Sequence, residues 1–280
     1  MIEINAYAKI NLHLDVTGKR NDGFHDIVSY MQTVSLCDTV TLELAERIQV
    51  VGNYGVDEKK DLAYRAAELF FERTGIPSGA KVYINKRIPM QAGLAGGSAD
   101  AAAVLKGLNE LYSVGLSPNE LAKMGEALGS DVPFCVLGGG KLAYGRGEIF
   151  KDAPKMPDCA IVIAKGSEGM STPAQYRMLD GIYNDFNGYT PKTESLNALL
   201  LAIREKDIRG IGSNLFNIFE ETGGYDAELM NIMKKHGALG TLLSGSGSAV
   251  FGIFDDTKAA KDAEKQLKDT GADAFLCVPV

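Results

Sequence analysis

The stretch PMQAGLAGGSADAAA, from Pro89 to Ala103, decides how this sequence is interpreted. Gly93, Gly96 and Gly97 stand among small residues, and an apolar run with helical spacing follows. The pattern predicts a glycine-rich turn that leads into a helix with Ser98 as its N-cap. Glycine lets the backbone approach a ligand closely, and the first N–H groups of a helix carry the positive end of its dipole. The stretch indicates a phosphate site, although a plain loop before an amphipathic helix would use the same residues.

Two common phosphate-binding motifs are excluded by this stretch. No Gly-Lys-Ser/Thr ends the loop, as the P-loop requires. The glycine spacing differs from GxGxxG, and the preceding KVYINKRIPM puts a proline between the expected strand and the loop.

Composition narrows the class of protein. The chain has 280 residues, of which 45% are hydrophobic, and a net charge of −7, which disfavours a nucleic-acid partner. Its four cysteines are widely spaced and its three histidines are scattered, so a disulfide scaffold or a structural zinc site is not expected. No apolar run approaches the roughly 20 residues of a membrane span, and the amino terminus lacks a signal-peptide pattern. We expect a cytoplasmic protein without a membrane partner.

The order of predicted elements indicates an α+β protein. Strands are predicted at Ile2–Ala6, Ala8–Val16, His25–Leu36 and Val40–Leu44, and clustered strands argue against a regular βαβ alternation. Helical spacing from Leu62 to Arg73 ends at Gly75, and SPNE at 117–120 is a capping box. Asp131 is expected just past a helix end, before a buried strand at Phe134–Leu137.

A polar, proline-containing segment, KDAPKMPD at 151–158, predicts a boundary between domains at 1–154 and 155–280. The second domain reads as a strand at 159–164, helical segments that include Leu215–Glu221, two strands around SGSGS, a helix and a closing strand. That order is compatible with a ferredoxin-like fold.

Four motifs together resemble those of the GHMP small-molecule kinases. They are AYAKINLHLDVTGKRNDGFHDI (6–27), the glycine stretch, GSDVPFC (129–135) and LLSGSGSAVFGIF (242–254), and the resemblance covers essentially the whole chain. It implies an α+β, two-domain fold: an N-terminal α+β domain, a ferredoxin-like C-terminal domain and a cleft between them. It also implies that ATP, accompanied by Mg²⁺, donates a phosphate to the 2-hydroxyl of a cytidyl-diphosphate erythritol. This reaction belongs to the non-mevalonate route to isoprenoid precursors. We expect the chain to act as a monomer or a homodimer.

The resemblance assigns catalytic roles to Lys9 and Asp131. Phosphoryl transfer needs mostly positioning and charge stabilisation. A carboxylate can take or orient the proton of the attacking hydroxyl, and a lysine beside it keeps it ionised and steadies developing charge. Without the resemblance, Lys9 would be an edge charge on a strand, and Asp131 a turn residue.

Substrate contacts are implied for Asn11, Phe24, His25 and Thr172. Phe24 stands where relatives more often have tyrosine, so it keeps a face on which cytosine can stack and loses a hydroxyl. A core phenylalanine beside a turn is the alternative for Phe24, and an ordinary turn residue is the alternative for His25.

The glycine stretch is the expected nucleotide site, and Asp61 could line an adenine pocket. One departure from relatives is Ala99, which replaces a second serine whose hydroxyl can touch phosphate or magnesium. No protein metal ligands are assigned. The predicted nucleotide-binding residues are Pro89, Met90, Gln91, Ala92, Gly93, Leu94, Ala95, Gly96, Gly97, Ser98, Ala99 and Lys86.

Two alternatives stay open on the sequence alone. The first is another GHMP kinase, acting on mevalonate, homoserine or a sugar, which Asn11 and the Gly-Phe-His triplet disfavour. The second is a paralogue that binds nucleotide without catalysis, which Ala99 makes conceivable and which the presence of both Lys9 and Asp131 disfavours.

Overall fold

The first 45 residues form two long strands, β1 (Ile2–Lys19) and β2 (His25–Ala45), in the structure, a computed structural model. It describes residues 1–55, 60–77, 79–166 and 171–280. The sequence predicted each of these strands as two shorter ones, which is wrong. Every residue from Ala8 to Val16 is buried, so polar side chains that suggested exposed strand faces lie inside.

The chain forms two compact units, each built from segments that are separate in sequence. Unit 1 comprises Met1–Ala8, Leu36–Ile88 and Ala95–Gly138; unit 2 comprises Lys9–Ser35, Pro89–Leu94 and Gly139–Val280. The strands β1 and β2 contribute residues to both. The predicted boundary at residue 154 concerns domains in chain order and stays a prediction.

Unit 1 combines a small mixed sheet with helices. Its elements after β1 and β2 are β3 (Gln49–Gly52), α1 (Leu62–Thr74), β4 (Gly79–Asn85), α2 (Gly96–Leu111), α3 (Pro118–Gly125) and α4 (Val132–Leu137). Strand β4 pairs antiparallel with the second half of β2, and β3 pairs parallel with β4.

The helix boundaries of unit 1 follow local chemistry. Helix α1 ends at Gly75 with φ 70°, and Ser117 and Glu120 form the complete capping box of α3, so both predictions are confirmed. The strand predicted at Phe134–Leu137 is wrong, because these residues belong to α4. A proline in the first turn suits a helix start, and a short apolar run does not distinguish strand from buried helix.

Unit 2 contains most of the remaining elements. They are β5 (Gly140–Tyr144), β6 (Ile149–Asp152), β7 (Ala160–Lys165), α5 (Thr172–Ile182), α6 (Thr193–Glu205), α7 (Ile208–Ser213), β8 (Phe216–Asn217), a 3-10 helix (Ile218–Thr222), α8 (Ala227–Lys235), β9 (Gly240–Leu243), β10 (Val250–Phe254), α9 (Thr257–Asp269) and β11 (Asp273–Cys277). Four of the strands form an antiparallel sheet in the order β11-β7-β10-β9.

The connectivity strand, helices, two strands, helix, strand with that order gives the ferredoxin-like arrangement predicted for the second half. Its core is apolar and includes Val162, Leu179, Met233 and Phe254. The helical segment predicted at Leu215–Glu221 is confirmed in part, since a 3-10 helix covers Ile218–Thr222, whereas Phe216–Asn217 form the strand β8. Across the part of the chain that the structure describes, no helix combines the length and apolar character needed to cross a bilayer.

Candidate active site

Lys9 is a buried lysine in unit 2, with only 4% of its surface exposed. Its ammonium donates hydrogen bonds to Asn11 Oδ1 at 2.7 Å and to the Gly93 carbonyl at 2.8 Å. Its backbone N–H donates to the Leu94 carbonyl at 3.1 Å. Lys9 and Asn11 meet because residues two apart on a strand share a face. The structure thus brings together two predicted site residues and the first half of the glycine stretch.

The Asn11 amide is fixed by a chain of hydrogen bonds inside unit 2. Its Nδ2 donates to Ser29 Oγ at 2.8 Å, and Ser29 Oγ donates to the His13 carbonyl at 2.6 Å. This chain orients the amide so that its oxygen faces Lys9. Ser29 carries no motif signal in the sequence, and sequence reasoning missed it.

The first half of the glycine stretch, Pro89–Leu94, lies against the glycine-serine segment Ser244–Ser248 in unit 2. Ser244 Oγ donates to the Gly93 carbonyl at 3.0 Å, and the Ala249 N–H donates to the Ala92 carbonyl at 3.1 Å. Gly93 has φ 74°, and a Cβ there would overlap the Ser244 carbonyl. Glycine is therefore required at this position for both conformation and space.

Two further polar residues support the glycine-serine segment. Asn217 Nδ2 donates to the carbonyls of Leu243 and Gly245, both at 2.8 Å. The hydroxyls of Thr172 and Ser246 are 2.8 Å apart and hydrogen-bonded. Thr172, a predicted substrate contact, therefore lies beside the third motif, whereas Asn217 was not singled out from the sequence.

The second half of the stretch, Ala95–Ala103, belongs to unit 1 and opens α2. The N-cap is Ala95, with φ 58°, and the described residues supply no side-chain cap to this helix. The prediction that Ser98 is the N-cap is therefore wrong. Left-handed backbone occurs at Gln91, Gly93 and Ala95, while Gly96 and Gly97 are helical. Because glycine can also occupy the first turn of a helix, the spacing of Gly96 and Gly97 did not predict where the turn lies.

Gly96 has a packing reason to lack a side chain. A Cβ there would lie 3.0 Å from the side chain of Ile88 and 3.2 Å from the Lys86 ammonium, closer than ordinary contacts. At Gly97 a Cβ would meet only Leu62, at 3.6 Å. The first residue is constrained by its neighbours within unit 1, and the second is not.

Lys86, a predicted nucleotide contact, is paired with two buried carboxylates in unit 1. Its ammonium is 2.5 Å from Asp38 Oδ2 and 2.6 Å from Asp100 Oδ2. Burial alone would lower the pKa of Lys86, but the charges of Asp100 and Asp38 outweigh it and raise the pKa. Burial raises the pKa of Asp100 to about 7 against the opposing effect of Lys86. Neither aspartate was singled out as a site residue from the sequence.

Asp131 is the N-cap residue of α4, directly before Val132, in unit 1. Its carbonyl accepts the Cys135 N–H at 3.0 Å, and Pro133 lies in the first turn. Within the described residues, its carboxylate makes no capping hydrogen bond to α4. The side chain is therefore not committed to the helix it precedes, as a proton acceptor requires.

Asp61, by contrast, has a structural role in unit 1. Its carboxylate caps α1 by accepting the Ala63 N–H at 2.8 Å, and it accepts the Tyr54 hydroxyl at 2.5 Å. An adenine pocket at Asp61 stays a prediction.

The predicted base-binding residues Phe24 and His25 differ in exposure. Phe24 is 54% exposed, and the guanidinium of Arg146 lies 5.0 Å from its ring centroid. His25 is buried and stacks on Tyr176 at 4.6 Å between ring centroids, with Phe186 edge-on at 5.8 Å. The exposed ring leaves a face for a planar ligand, which a core phenylalanine would not.

His25 is oriented by Asp180, whose Oδ1 lies 2.6 Å from its Nε2. Lys19 contacts Asp180 at 2.9 Å and Asp185 at 2.6 Å. Partial burial alone would raise the pKa of Asp180, but hydrogen bonds from His25 and Lys19 outweigh it, so the pKa lies below its ordinary value. Asp180 therefore stays ionised and holds one ring nitrogen of His25, a role that no sequence motif indicated.

Family models match both parts of the chain. The model of the GHMP kinases N terminal domain matches residues 61–139, and that of the GHMP kinases C terminal matches residues 199–273.

Curated relatives match nearly the whole chain. A 4-diphosphocytidyl-2-C-methyl-D-erythritol kinase of Caldicellulosiruptor saccharolyticus is 43% identical over 95% of this chain and 92% of its own length. The kinase of the same name from Acetivibrio thermocellus is 40% identical over 98% of both chains.

Solved structures have the same fold. A crystal structure of 4-(cytidine 5'-diphospho)-2C-methyl-D-erythritol kinase is 32% identical, covers 99% of both chains and has a TM-score of 0.77. Mevalonate kinase of L. major has a TM-score of 0.78 at 17% identity, a likeness of fold alone. The chain adopts the two-domain GHMP kinase fold with mixed α and β content, and it belongs to the GHMP kinase family.

Proposed function

We propose that this chain transfers the γ-phosphate of ATP to the 2-hydroxyl of 4-diphosphocytidyl-2-C-methyl-D-erythritol, a step towards isoprenoid precursors. Family membership makes it an ATP-dependent small-molecule kinase. The single observation that supports the chemistry is the buried Lys9 ammonium, which hydrogen bonds to Asn11 and to the carbonyl of Gly93 in the glycine stretch.

Lys9 and Asp131 are the proposed catalytic residues. Asp131 takes or orients the proton of the substrate hydroxyl, whose oxygen attacks the γ-phosphorus. The bond from that phosphorus to the bridging oxygen breaks, and ADP leaves. Lys9 stabilises negative charge on the transferred oxygens. Its hydrogen bonds to Asn11 Oδ1 and to the Gly93 carbonyl hold the ammonium in place.

ATP is proposed to bind along Pro89–Ala99. The first N–H groups of α2 supply the helix end that attracts phosphate, and its 16 residues give a full helix dipole. Ser98 offers a hydroxyl in the first turn, because it does not act as the cap.

Mg²⁺ is proposed to arrive with ATP. Within the described residues, no three His, Cys, Asp or Glu side chains are grouped as a metal site. Mg²⁺ held mainly by phosphate oxygens and water needs no such cluster, and Ser98 would offer it one hydroxyl oxygen in the first turn of α2. The ion would offset the charge of the triphosphate.

The cytidyl group is proposed to bind beside Phe24 and His25, with Asn11 and Thr172 contacting the rest of the substrate. The exposed Phe24 ring offers a stacking face worth about 1–3 kcal/mol in comparable base contacts. Domains at 1–154 and 155–280 are part of the proposal, and the two family matches fall on either side of that boundary. A cytoplasmic monomer or homodimer is also proposed.

The test compares phosphate transfer from ATP to the cytidyl substrate with transfer to mevalonate, homoserine and a sugar. We expect transfer to the cytidyl substrate only. Activity confined to another alcohol would favour a different GHMP kinase.

Single-turnover kinetics of Asp131→Asn then test catalysis itself. We expect a rate about 10²–10⁴ below that of the unaltered chain, with ATP binding retained. Negligible and equal rates for both chains, each with ATP bound, would favour a nucleotide-binding protein without catalysis.

A further inference from the structure

We propose that Asp38, Lys86 and Asp100 form a positioning triad for the loop Pro89–Leu94. The triad holds the segment of unit 1 before this loop and the helix of unit 1 that follows it. The inference rests on the proposed ATP site at Pro89–Ala99. Neither aspartate contacts nucleotide in this proposal, and each acts through the loop.

The triad fixes the segment that precedes the loop. Asp38 is fully buried on β2, and its Oδ1 accepts the N–H groups of Arg87 at 2.5 Å and Ile88 at 2.8 Å. Its other oxygen pairs with Lys86 at 2.5 Å. One carboxylate therefore holds three consecutive residues, 86 to 88, directly before Pro89.

The same ammonium fixes the start of α2. Lys86 Nζ donates to Asp100 Oδ2 at 2.6 Å, and Asp100 lies in the second turn of the helix that opens at Gly96. Gly96 lies so close to the Lys86 ammonium that a Cβ would come within 3.2 Å. Lys86 therefore connects the segment before the six-residue loop Pro89–Leu94 with the helix after it, while the loop itself belongs to unit 2.

Stability alone does not explain three buried charges. Well-packed apolar residues of similar volume often match or exceed the stability of a buried ion pair. Asp100 Oδ1 is buried and has no hydrogen-bond partner among the described residues, which adds a further cost. Directed, charge-assisted hydrogen bonds supply what apolar packing lacks, a fixed distance and angle between the two loop ends. The triad is thus suited to holding the N–H groups of α2 where a phosphate must meet them.

The experiment uses Asp100→Ala and Asp100→Asn in the full chain. Both leave Lys86 paired with Asp38, which guards against an unpaired buried charge. Alanine removes the acceptor for Lys86, whereas asparagine retains an oxygen acceptor of the same size. Steady-state kinetics give KM for ATP and for the cytidyl substrate, equilibrium binding of a non-hydrolysable ATP analogue gives affinity, and thermal unfolding gives Tm.

We expect Asp100→Ala to raise KM for ATP about tenfold, the effect of losing one charge-assisted hydrogen bond that positions the loop. KM for the cytidyl substrate stays within about twofold, and Asp100→Asn restores KM for ATP to within about threefold of the unaltered chain. The control Asp152→Ala removes only the exposed pair with Lys141 and changes neither KM.

If Asp100 only stabilised the fold and did not position the loop, the kinetic result would differ. Asp100→Ala would then lower Tm and the active fraction while KM for ATP stays the same, and this outcome overturns the triad. Equal analogue affinity in Asp100→Ala and the unaltered chain overturns it too, with the proposed function intact. An unaltered chain that fails to bind the analogue overturns the proposed function, and the triad with it.

Discussion

The two halves of the glycine stretch are anchored by different chemistry. Pro89–Leu94 is held in unit 2 by hydrogen bonds to backbone carbonyls, from Lys9, Ser244 and Ala249. Ala95–Ala103 begins a helix in unit 1 that is connected through Asp100 to buried charges. The carbonyl acceptors of the first half do not titrate, whereas the second half contains a carboxylate whose pKa burial raises to about 7. The glycine stretch therefore joins a part whose hydrogen-bond acceptors do not titrate to a part that contains a titrating carboxylate.

The largest expected effect is at Lys9 in the first half. Lys9→Met keeps most of the length of the side chain and removes the ammonium, so we expect the single-turnover rate to fall about 10²–10⁴-fold. The matched control is Lys141→Met, at an exposed ion pair, which leaves the rate unchanged. A Lys9→Met chain that turns over normally but binds ATP weakly would make Lys9 an anchor for Gly93 and nothing more.

Glycine-to-alanine substitutions distinguish the two halves of the stretch by the room that each has for a side chain. Gly93→Ala puts a Cβ into the Ser244 carbonyl at a left-handed φ, so we expect ATP affinity to fall at least about tenfold and Tm to drop. Gly97→Ala meets only Leu62 at 3.6 Å in a helical turn, and we expect its Tm to be unchanged or higher. Equal Tm losses in the two variants would contradict this difference.

The carboxylate of Asp100 gives the second half its pH dependence. An aspartate has an ordinary pKa of about 3.9 in the unfolded chain, and burial raises it to about 7 in the folded one. Between these values the folded state binds more protons, so this contribution to stability is present at low pH and is lost as pH rises towards 7.

We therefore expect Asp100→Asn to gain stability relative to the unaltered chain as pH rises through that window. Urea unfolding at several pH values measures the difference between the two chains, in which titrating groups remote from Asp100, Asp38 and Lys86 cancel. A difference that does not change with pH would mean that Asp100 is ionised throughout.

Asp180 lies outside both halves and tests the proposed base site. Asp180→Asn no longer fixes the hydrogen bond to His25 Nε2, so we expect KM for the cytidyl substrate to rise about three- to tenfold. KM for ATP stays unchanged. Asp185→Asn is the matched control, because it removes the other partner of Lys19 without touching His25. Equal effects of the two variants would trace the change to Lys19.

The smallest effect is expected at Ala99. Its side chain is buried, at 2% exposure, so a hydroxyl there would face protein atoms. We expect Ala99→Ser to change KM for ATP less than about twofold and to lower Tm slightly, since serine is a weaker helix former than alanine. A large gain in ATP affinity would instead mean that the missing hydroxyl limits nucleotide binding.

Local signals predicted much of the fold. The capping box at Ser117 and the αL glycine at Gly75 act through neighbouring residues, so sequence patterns reveal them. Two features were predicted wrongly: the length of β1 and β2, and the helix at Val132–Leu137. Both depend on burial by segments that are distant in the sequence. A short apolar run carries no information about what covers it.

The candidate site divides in the same way. Lys9 and Asn11 were indicated by a motif, and the structure joins them by a hydrogen bond. Asp38 and Asp180 lie in segments without a motif. Asp38 acts through a partner 48 positions away in the sequence, and Asp180 through one 155 positions away. Sequence spacing alone does not reveal contacts between residues so far apart in the chain. Catalysis by Lys9 and Asp131 stays a prediction.

Ala95 joins the two halves in a conformation that glycine adopts at no cost. A left-handed alanine costs about 1–2 kcal/mol, so contacts elsewhere in the stretch must hold Ala95 in this conformation. Without those contacts, residue 95 would return to a right-handed or extended backbone and change the direction in which the chain enters α2. A glycine at residue 95 would relieve the strain and let the chain enter α2 without that constraint.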